Sequence, residues 1–473
     1  MRHLATPGMA GELSEPDAIG ESGSAGCGDV VRVQLRIAGG TVTEARFLAF
    51  GCGAATAAAN AACEELTGAT IRTALTLSAE WLDRELGGMG TERRHGPELV
   101  ADAVARALEA WVSARLGTVG VPLARNRVAV AMSGGVDSAV AAKLLHEAGY
   151  DVIGVTMRLW HDPGAAAADR SCCSPETVQL ARRTAHSLGI PHVTIDAAEV
   201  FRRGVVESFI RGYAEGRTPN PCVTCNGEVR FAVLAQTAAL LGARRLATGH
   251  YARVVDGAIA RAVDVDKDQS YMLAMLDRPT IARLEFPLGE LTKQQVRDLA
   301  RSAVLPAADA VESQEVCFVG VGGYVPFLER VAGMSAAAGP IVDERGAQIG
   351  MHDGYWRYTV GQRRGVGVSA DGPRYVLGTD AVTNTVRVGP REFLATTEFE
   401  LRPFTLNESV DDAHLEVRVR YRGRALRGQA RPVADGLRVT LLDPADGVAP
   451  GQTAALYRDG RLVGAGIIVG RDS

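Results

Sequence analysis

Two early runs alternate apolar and polar positions, and that period of two predicts a β-hairpin. Val31, Val33, Leu35 and Ile37 share one face, Gly39-Gly40 supplies the turn, and Val42 to Phe50 returns. Gly51-Cys52-Gly53 leads into an alanine-rich helix over Ala54 to Leu66, and a second helix is expected over Pro97 to Leu116. Residues 1–25, rich in Gly, Ser, Pro and Glu, read as a weakly ordered lead-in. From Val128 the period changes. Val128 to Ala131 reads as a buried strand, Ser133-Gly134-Gly135 as a turn, and Ala139 to Ala148 as an amphipathic helix closed by Gly149. Strands over Asp151–Met157, His192–Asp196 and Leu246–Thr248 alternate with helices opening at Ser174-Pro175-Glu176 and covering Val200–Tyr213 and Glu228–Leu241. Such alternation implies a parallel, helix-covered sheet with its site at the strand C-terminal ends.

Thr292-Lys293-Gln294-Gln295 opens a further helix with a capping box. After Gly339 the chain turns to short strands: Pro340 to Gly389 fits a small β-rich unit and Ala413 to Gly470 a β-barrel with a hairpin turn at Asp459-Gly460. The expected fold is multidomain. An α+β domain spans 1–116, a linker 117–126, and an α/β nucleotide-binding domain 127–335; a small β-rich central domain at 336–395 and a C-terminal β-barrel at 396–473 follow. In the barrel, Leu415, Val417, Val419 and Tyr421 alternate with Arg418, Arg420, Arg422 and Arg424, with Arg427 and Arg431 close behind. An arginine run is ordinarily a solvated face, but so concentrated a stripe is a candidate for RNA phosphate contact.

Composition narrows the class. The 473 residues are 47% apolar and 22% charged, which suits globular domains, and the net charge of −4 decides nothing about nucleic acid. No apolar run reaches membrane-spanning length, so a cytoplasmic protein with no membrane partner is expected. Eight cysteines in so long a chain do not make a disulfide scaffold; clustered ones point to redox, sulfur or metal chemistry.

The strand, glycine turn and helix start at Val128–Ser138 together build an anion site, in which backbone N–H groups and the helix N-terminus face a phosphate. The turn lacks the Gly-Lys-Ser/Thr ending of a Walker loop. Ser133-Gly134-Gly135-Val136-Asp137-Ser138 resembles instead the pyrophosphate loop of enzymes that adenylate a substrate and release pyrophosphate. Six further motifs follow it: Thr218-Pro219-Asn220-Pro221-Cys222-Val223-Thr224-Cys225-Asn226, Ala247-Thr248-Gly249-His250-Tyr251-Ala252-Arg253, Lys267-Asp268-Gln269-Ser270-Tyr271, Ser313-Gln314-Glu315-Val316-Cys317-Phe318, Tyr358-Thr359-Val360-Gly361-Gln362-Arg363-Arg364-Gly365 and Pro450-Gly451-Gln452. In this order they resemble the bacterial tRNA-specific 2-thiouridylases over residues 127–470. Cys27-Gly28-Asp29 and Gly51-Cys52-Gly53, with Gly11-Glu12-Leu13 and Pro16-Asp17-Ala18, resemble the NifU/IscU iron–sulfur scaffolds over 1–116. That family places a third cysteine after a histidine; here His95 is followed by Gly96. Cys63 reads as a small core residue.

The resemblance implies ATP-dependent 2-thiolation of the tRNA wobble uridine, with adenylation of the C2 oxygen and sulfur delivered from a persulfide. It implies Cys225 as nucleophile and Cys317 as persulfide carrier, the two joining in a disulfide as sulfur is released. Ala131, Met132, Ser133, Gly134, Gly135, Val136, Asp137, Ser138, Met157 and Gly249 would line the site for ATP and its Mg2+. Asn220, Pro221 and Cys222 would meet the base; His250, Lys267, Asp268, Gln269, Arg420, Tyr421 and Gln452 would meet the tRNA. Partners implied are tRNA and a cysteine desulfurase or sulfur-relay protein. Cys222, Cys225 and Cys317 also suit a [4Fe-4S] cluster held by three irons, a reading that leaves Cys27 and Cys52 as lesser candidates. Zinc normally takes four protein ligands in structural sites. Cys172-Cys173 read as structural or incidental. The competing functions are another pyrophosphate-loop ligase, of the argininosuccinate-synthase or amidotransferase type, and an iron–sulfur assembly protein whose C-terminal part only binds RNA or nucleotide.

Overall fold

The computed structural model describes residues 8–24, 28–88, 94–117, 123–160, 174–310, 316–320, 322–368, 372–410 and 414–469; Cys27, Cys172, Cys173 and Ser313-Gln314-Glu315 lie outside them. Three antiparallel strands open the fold in the order β1 (Ala18–Gly23), β2 (Val30–Ala38), β3 (Thr41–Phe50). The β2–β3 hairpin is the one its alternation predicts, with Gly39 and Gly40 both at positive φ. β1 lies inside the stretch read as a lead-in. Its inward residues are Ala18, Gly20 and Ser22, too small to register as an apolar face. Gly20 is required there: a Cβ would stand 2.0 Å from Ala103 O on the His95–Ala114 helix. That helix and Gly53–Leu66 cover the sheet, close to the two helices expected.

The second domain is a five-stranded parallel sheet of β4 (Ala124–Ala131), β5 (Asp151–Arg158), β6 (His192–Asp196), β7 (Ala243–Thr248) and the short β10 (Leu284–Glu285), in the order β10-β7-β4-β5-β6. From β4 the chain steps out to β6 and then crosses back to β7, so the topological switch lies between β4 and β7. A hairpin, β8 (Ala252–Val255) and β9 (Ala258–Arg261), precedes β10.

The N-terminal domain covers the β6 edge. Leu75 O accepts from His192 N at 3.3 Å, and Ser113 Oγ accepts from Asp196 N at 3.2 Å. Charge reinforces this interface: Arg182 meets Asp102 at 3.0 Å, Arg158 pairs with Glu109, and Arg72 joins Arg127 on Asp151. Burial would raise the Asp102 carboxyl, but Arg106 and Arg182 hold it below its usual value; at Glu109 burial wins and pushes the carboxyl up. An otherwise open sheet edge is thereby closed by a domain of the same chain.

The central unit is a four-stranded sheet ordered β12-β11-β14-β13, from β11 (Gly339–Val342), β12 (Gln348–His352), β13 (Tyr375–Asp380) and β14 (Thr385–Gly389). Six strands then form a closed barrel: β15 (Ala395–Leu406), β16 (Leu415–Arg418), β17 (Leu426–Val433), β18 (Gly436–Asp446), β19 (Thr453–Arg458) and β20 (Arg461–Val469), with β15 pairing β20 to close it. The Asp459-Gly460 turn has both residues at positive φ, as the hairpin reading requires. The arginine stripe does not share one strand face. β16 ends at Arg418, and Arg422 at φ 57° sits in the turn that follows. Arg418 points inward, 3.5 Å from the buried Asp268, while Arg420, Arg422, Arg424, Arg427 and Arg431 are exposed.

Candidate active site

Ala131 ends β4 and the glycine turn follows at the switch point, where the helix Val136–Glu147 begins. Gly134, at φ 73°, takes a backbone conformation that side chains rarely adopt, and a Cβ there would strike Thr177 O at 2.5 Å. Ser138 closes the turn on itself: its Oγ accepts from Ser133 N at 3.1 Å and donates to Gly135 O at 3.0 Å. Met132 is buried under the turn, and Thr156 Oγ1 donates to its carbonyl at 2.8 Å. Met157, half-buried, lies next along β5. Gly249 follows β7 and presses on the loop from the other side; its Cβ would lie 2.6 Å from Ser138 N.

Asp137 occupies the first turn of this helix, a position where a carboxylate competes with an incoming phosphate. Lys293 resolves the conflict, with Nζ 2.8 Å from each Asp137 oxygen, and Tyr251 OH donates to Oδ1 at 2.9 Å. The Lys293 side chain is only 9% exposed. It stands at the start of the helix Lys293–Ser302, whose Thr292–Gln295 capping box is present as expected. Lys293 and Tyr251 were not among the sequence candidates. Their signal lies inside the capping-box and Gly-His-Tyr motifs, but their partner is far away in the chain.

The cysteine helix begins earlier than its polar sequence suggests. Asn220 is its N-cap, accepting from Val223 N at 3.3 Å, and Pro221 takes the first helical position. The helix runs through Pro221–Thr224 into a π-helical stretch, Cys225–Arg230, and on through Phe231–Leu240. Cys225 opens the π stretch, an irregularity that often marks functional positions. It is buried, while Cys222 is half-buried. Burial pushes the Cys222 thiol up; Arg230 opposes the shift and Cys225 adds to it. Cys317 is half-buried and precedes Phe318, which packs edge-on against Phe201, Phe209 and Phe327.

His250 joins the two halves. Its Nδ1 lies 2.6 Å from Thr248 Oγ1, its ring centroid 6.2 Å from that of Phe231 on the cysteine helix, and the preceding Gly249 abuts the loop. Desolvation, aided by Arg230, drives its pKa down to about 3, so the imidazole is neutral. Other candidates turn inward. Asp268 is buried and accepts from Ala262 N and Ser270; Gln269 Oε1 accepts from Tyr251 N at 3.0 Å. Lys267 is half-buried on the same turn. Gln452 Nε2 donates to Thr218 O at 2.9 Å, just upstream of Asn220. Tyr421 is half-buried beside the exposed Arg420.

A second cluster lies in the N-terminal domain. His95 Nε2 is 3.2 Å from Cys52 Sγ and 3.1 Å from Asp29 Oδ2, and Cys52 N donates to Asp29 Oδ1 at 3.2 Å. Among the described residues this is the one set of three metal-capable side chains whose ligand atoms lie within 4.8 Å of one another; Cys222, Cys225 and Cys317 do not gather so closely. One thiol, one carboxylate and one imidazole are all ligands that zinc accepts. Gly96 is tight: a Cβ would lie 2.9 Å from the Ala54 carbonyl carbon. Cys63 is a core thiol pushed up to about 12 by burial.

Comparison with known proteins follows this division. Residues 1–116 match the family model described as NifU-like N terminal domain, 126–321 the tRNA methyl transferase HUP domain, 326–390 the tRNA methyl transferase PRC-barrel domain, and 398–468 the Aminomethyltransferase beta-barrel domain. A tRNA-specific 2-thiouridylase MnmA from Chloroflexus aggregans is 46% identical over 353 residues, 72% of this chain and 98% of that one. The solved U34-tRNA thiolase NcsA from Methanococcus maripaludis, described with its [4Fe-4S] cluster, covers 44% of this chain and 65% of its own at 21% identity and a TM-score of 0.28, a likeness too slight to assign chemistry. The Bifunctional protein NifU/MnmA from Rubrobacter xylanophilus is 44% identical over 487 residues, covering 100% of this chain and 98% of its own. With four models matched in order and a relative aligned end to end, the chain belongs to the family of bifunctional NifU/MnmA proteins.

Proposed function

We propose that the chain is an ATP-dependent tRNA uridine 2-sulfurtransferase acting at the wobble position. The observation that carries this reading is the junction at Gly249-His250, where the pyrophosphate loop and the cysteine helix pack on consecutive residues. A loop that grips triphosphate beside the buried Cys225 and half-buried Cys222 is suited to activating an oxygen and replacing it with sulfur. The other ligase chemistries weighed above make no use of these thiols, and the Chloroflexus aggregans relative is named a tRNA-specific 2-thiouridylase.

ATP enters with its magnesium ion as substrate. Ser133 to Ser138 receive the phosphates, and Lys293, held at Asp137, supplies a cation beside the departing pyrophosphate. The uridine C2 oxygen attacks the α-phosphorus, the bond to pyrophosphate breaks, and the base is adenylated. The terminal sulfur of a Cys317 persulfide then attacks C2, and AMP leaves with the electron pair of the C2–O bond. Cys225 thiolate next attacks Cys317 Sγ. A Cys225–Cys317 disulfide forms as the old S–S bond breaks, leaving sulfur on C2. An external dithiol reduces the disulfide, and a cysteine desulfurase or relay protein renews the persulfide. Neutral His250 lines the base side, and the exposed barrel arginines meet tRNA phosphate. In the N-terminal domain, Asp29, Cys52 and His95 would hold a single divalent ion; no cluster step is needed for the reaction.

The test is sulfur incorporation into tRNA, followed by nucleoside mass spectrometry with ATP and a persulfide donor. Cys225→Ser and Cys317→Ser should each abolish it, while iron-free wild-type protein stays active. Thiolation surviving in either variant, or lost on removal of iron, overturns the persulfide relay.

A further inference from the structure

The five residues ahead of the cysteine helix are held by both β domains. Tyr355 OH donates to Ala214 O at 2.5 Å and Thr379 Oγ1 to Gly216 O at 2.9 Å, both from the central domain. Thr218 Oγ1 lies 3.4 Å from Thr359 Oγ1 of the same domain. From the barrel side, Pro450 O accepts from Thr218 N at 2.8 Å, and Gln452 Nε2 donates to Thr218 O at 2.9 Å. Gly451, at φ 90°, lets the barrel turn sit directly on this segment; a Cβ there would lie 3.0 Å from Thr218 N.

The link from Thr218 to the thiols is stiff. Pro219 and Pro221 fix their own φ angles and restrict the residue before each. Pro219 also packs on Gly212, where a Cβ would come within 2.9 Å of its ring. Between the two prolines stands Asn220, the N-cap of the helix that carries Cys222 and Cys225. Gln452 is itself anchored, since its backbone carbonyl accepts from Ile468 N at 2.8 Å and its N–H reaches Ala449 O at 3.2 Å. A shift of the barrel turn therefore reaches Cys225 through a short and nearly inextensible path.

We propose that Ala214–Thr218 is a strap by which the two β domains set the position of the cysteine helix, with Tyr355 and Thr379 holding it from the central domain and the Pro450–Gln452 turn from the barrel. The proposal rests on the thiolation reading for its kinetic consequence. Both β domains expose arginines, Arg363 and Arg364 in one and Arg420, Arg422 and Arg424 in the other, so RNA engaging them pulls on the same strap.

The experiment compares wild type with Tyr355→Phe, Thr379→Val and Gly451→Ala in the full chain. Three quantities are measured: tRNA dissociation constant, kcat at saturating tRNA and ATP, and the maleimide alkylation rate of Cys225 in the free protein, read on its peptide by mass spectrometry. The strap predicts kcat down about tenfold for each variant, as sub-ångström misplacement of a reacting group costs. It also predicts tRNA affinity within about twofold and alkylation of the buried Cys225 several-fold faster, a loss of restraint. Weakened tRNA binding with kcat intact would make these contacts part of RNA docking and overturn the proposal. Unchanged alkylation in all three variants would overturn it as well. If the wild type fails to thiolate tRNA, the functional reading falls, and the alkylation rates alone decide the strap.

Discussion

Gly249→Ala is the sharpest probe of the nucleotide site. The added Cβ would stand 2.6 Å from Ser138 N and 2.7 Å from the Asp137 carbonyl carbon. Carbon contacts are comfortable near about 3.5 Å, so the loop or the β7 end must retreat by about 0.9 Å. Neither neighbour is a flexible side chain. One is the first turn of the loop helix, the other the end of a strand whose Thr248 pairs with Ala131. Overpacking of this kind costs about 1–3 kcal/mol in stability. The kinetic cost is larger in relative terms: a displacement near 1 Å in a positioning group lowers a rate by about 100-fold, or about 2.7 kcal/mol. The expected result is a kcat/KM for ATP about 100-fold down in a tRNA-dependent pyrophosphate-release assay, with the protein still folded by thermal melt. Gly378→Ala, with nothing within 4 Å of its Cβ, is the control and should behave as wild type. If Gly249→Ala keeps its ATP kcat/KM within about twofold, the close approach does not hold the phosphate loop, and the site assignment built on it fails.

Lys293→Met should destabilise the chain by about 1–2 kcal/mol, because it strips the cation from an Asp137 carboxylate that is 31% exposed and keeps its Tyr251 hydrogen bond, and should abolish ATP turnover; unchanged turnover would contradict the role given to the pair. Acid should destabilise the fold through histidines that are neutral inside it. His250, His192 and His186 all have lowered pKa values, so the unfolded chain binds the extra protons; their contribution is complete above about pH 6.5 and is lost as pH falls below it, for His250 down to about 3. Melting temperature measured from pH 7 to 4 should fall, and His192→Asn should flatten the slope. Gly20→Ala should loosen the N-terminal sheet from its helix, since a Cβ would meet Ala103 O at 2.0 Å; faster proteolysis confined to residues below 117 checks it.

What the sequence made legible, and what it did not, follows the range of the interactions involved. The β2–β3 hairpin, the parallel sheet and the capping box at Thr292 are stated by neighbouring residues, and each is present. β1 was missed because its inward positions are small, which only the facing helix at Ala103 and Ala107 explains. The cysteine helix was expected only from Glu228, with Pro219 and Pro221 ahead of it. Pro221 at the first helical position starts a helix instead, and Asn220 caps it. The arginines lost their shared face for the opposite reason: the period of two continues past Arg418, where the strand ends, into the turn that holds Arg422 at φ 57°.

The site residues divide along the same line. Loop glycines and cysteines announce themselves because their chemistry lies in the local motif. Lys293 does not, because it acts on Asp137, which the fold brings in from far away, and the bond of Gln452 to Thr218 is likewise visible only in the fold. The motif containing Asp268 shows the same dependence. The resemblance assigns Lys267, Asp268 and Gln269 to tRNA; in the fold Asp268 and Gln269 hydrogen-bond Ala262, Ser270 and Tyr251, and Arg418 turns in from the barrel to meet Asp268. Tyr251 in turn holds the Asp137 carboxylate. A polar motif therefore also fixes the second residue of a chain of contacts, Gln269 to Tyr251 to Asp137, that ends at the phosphate loop.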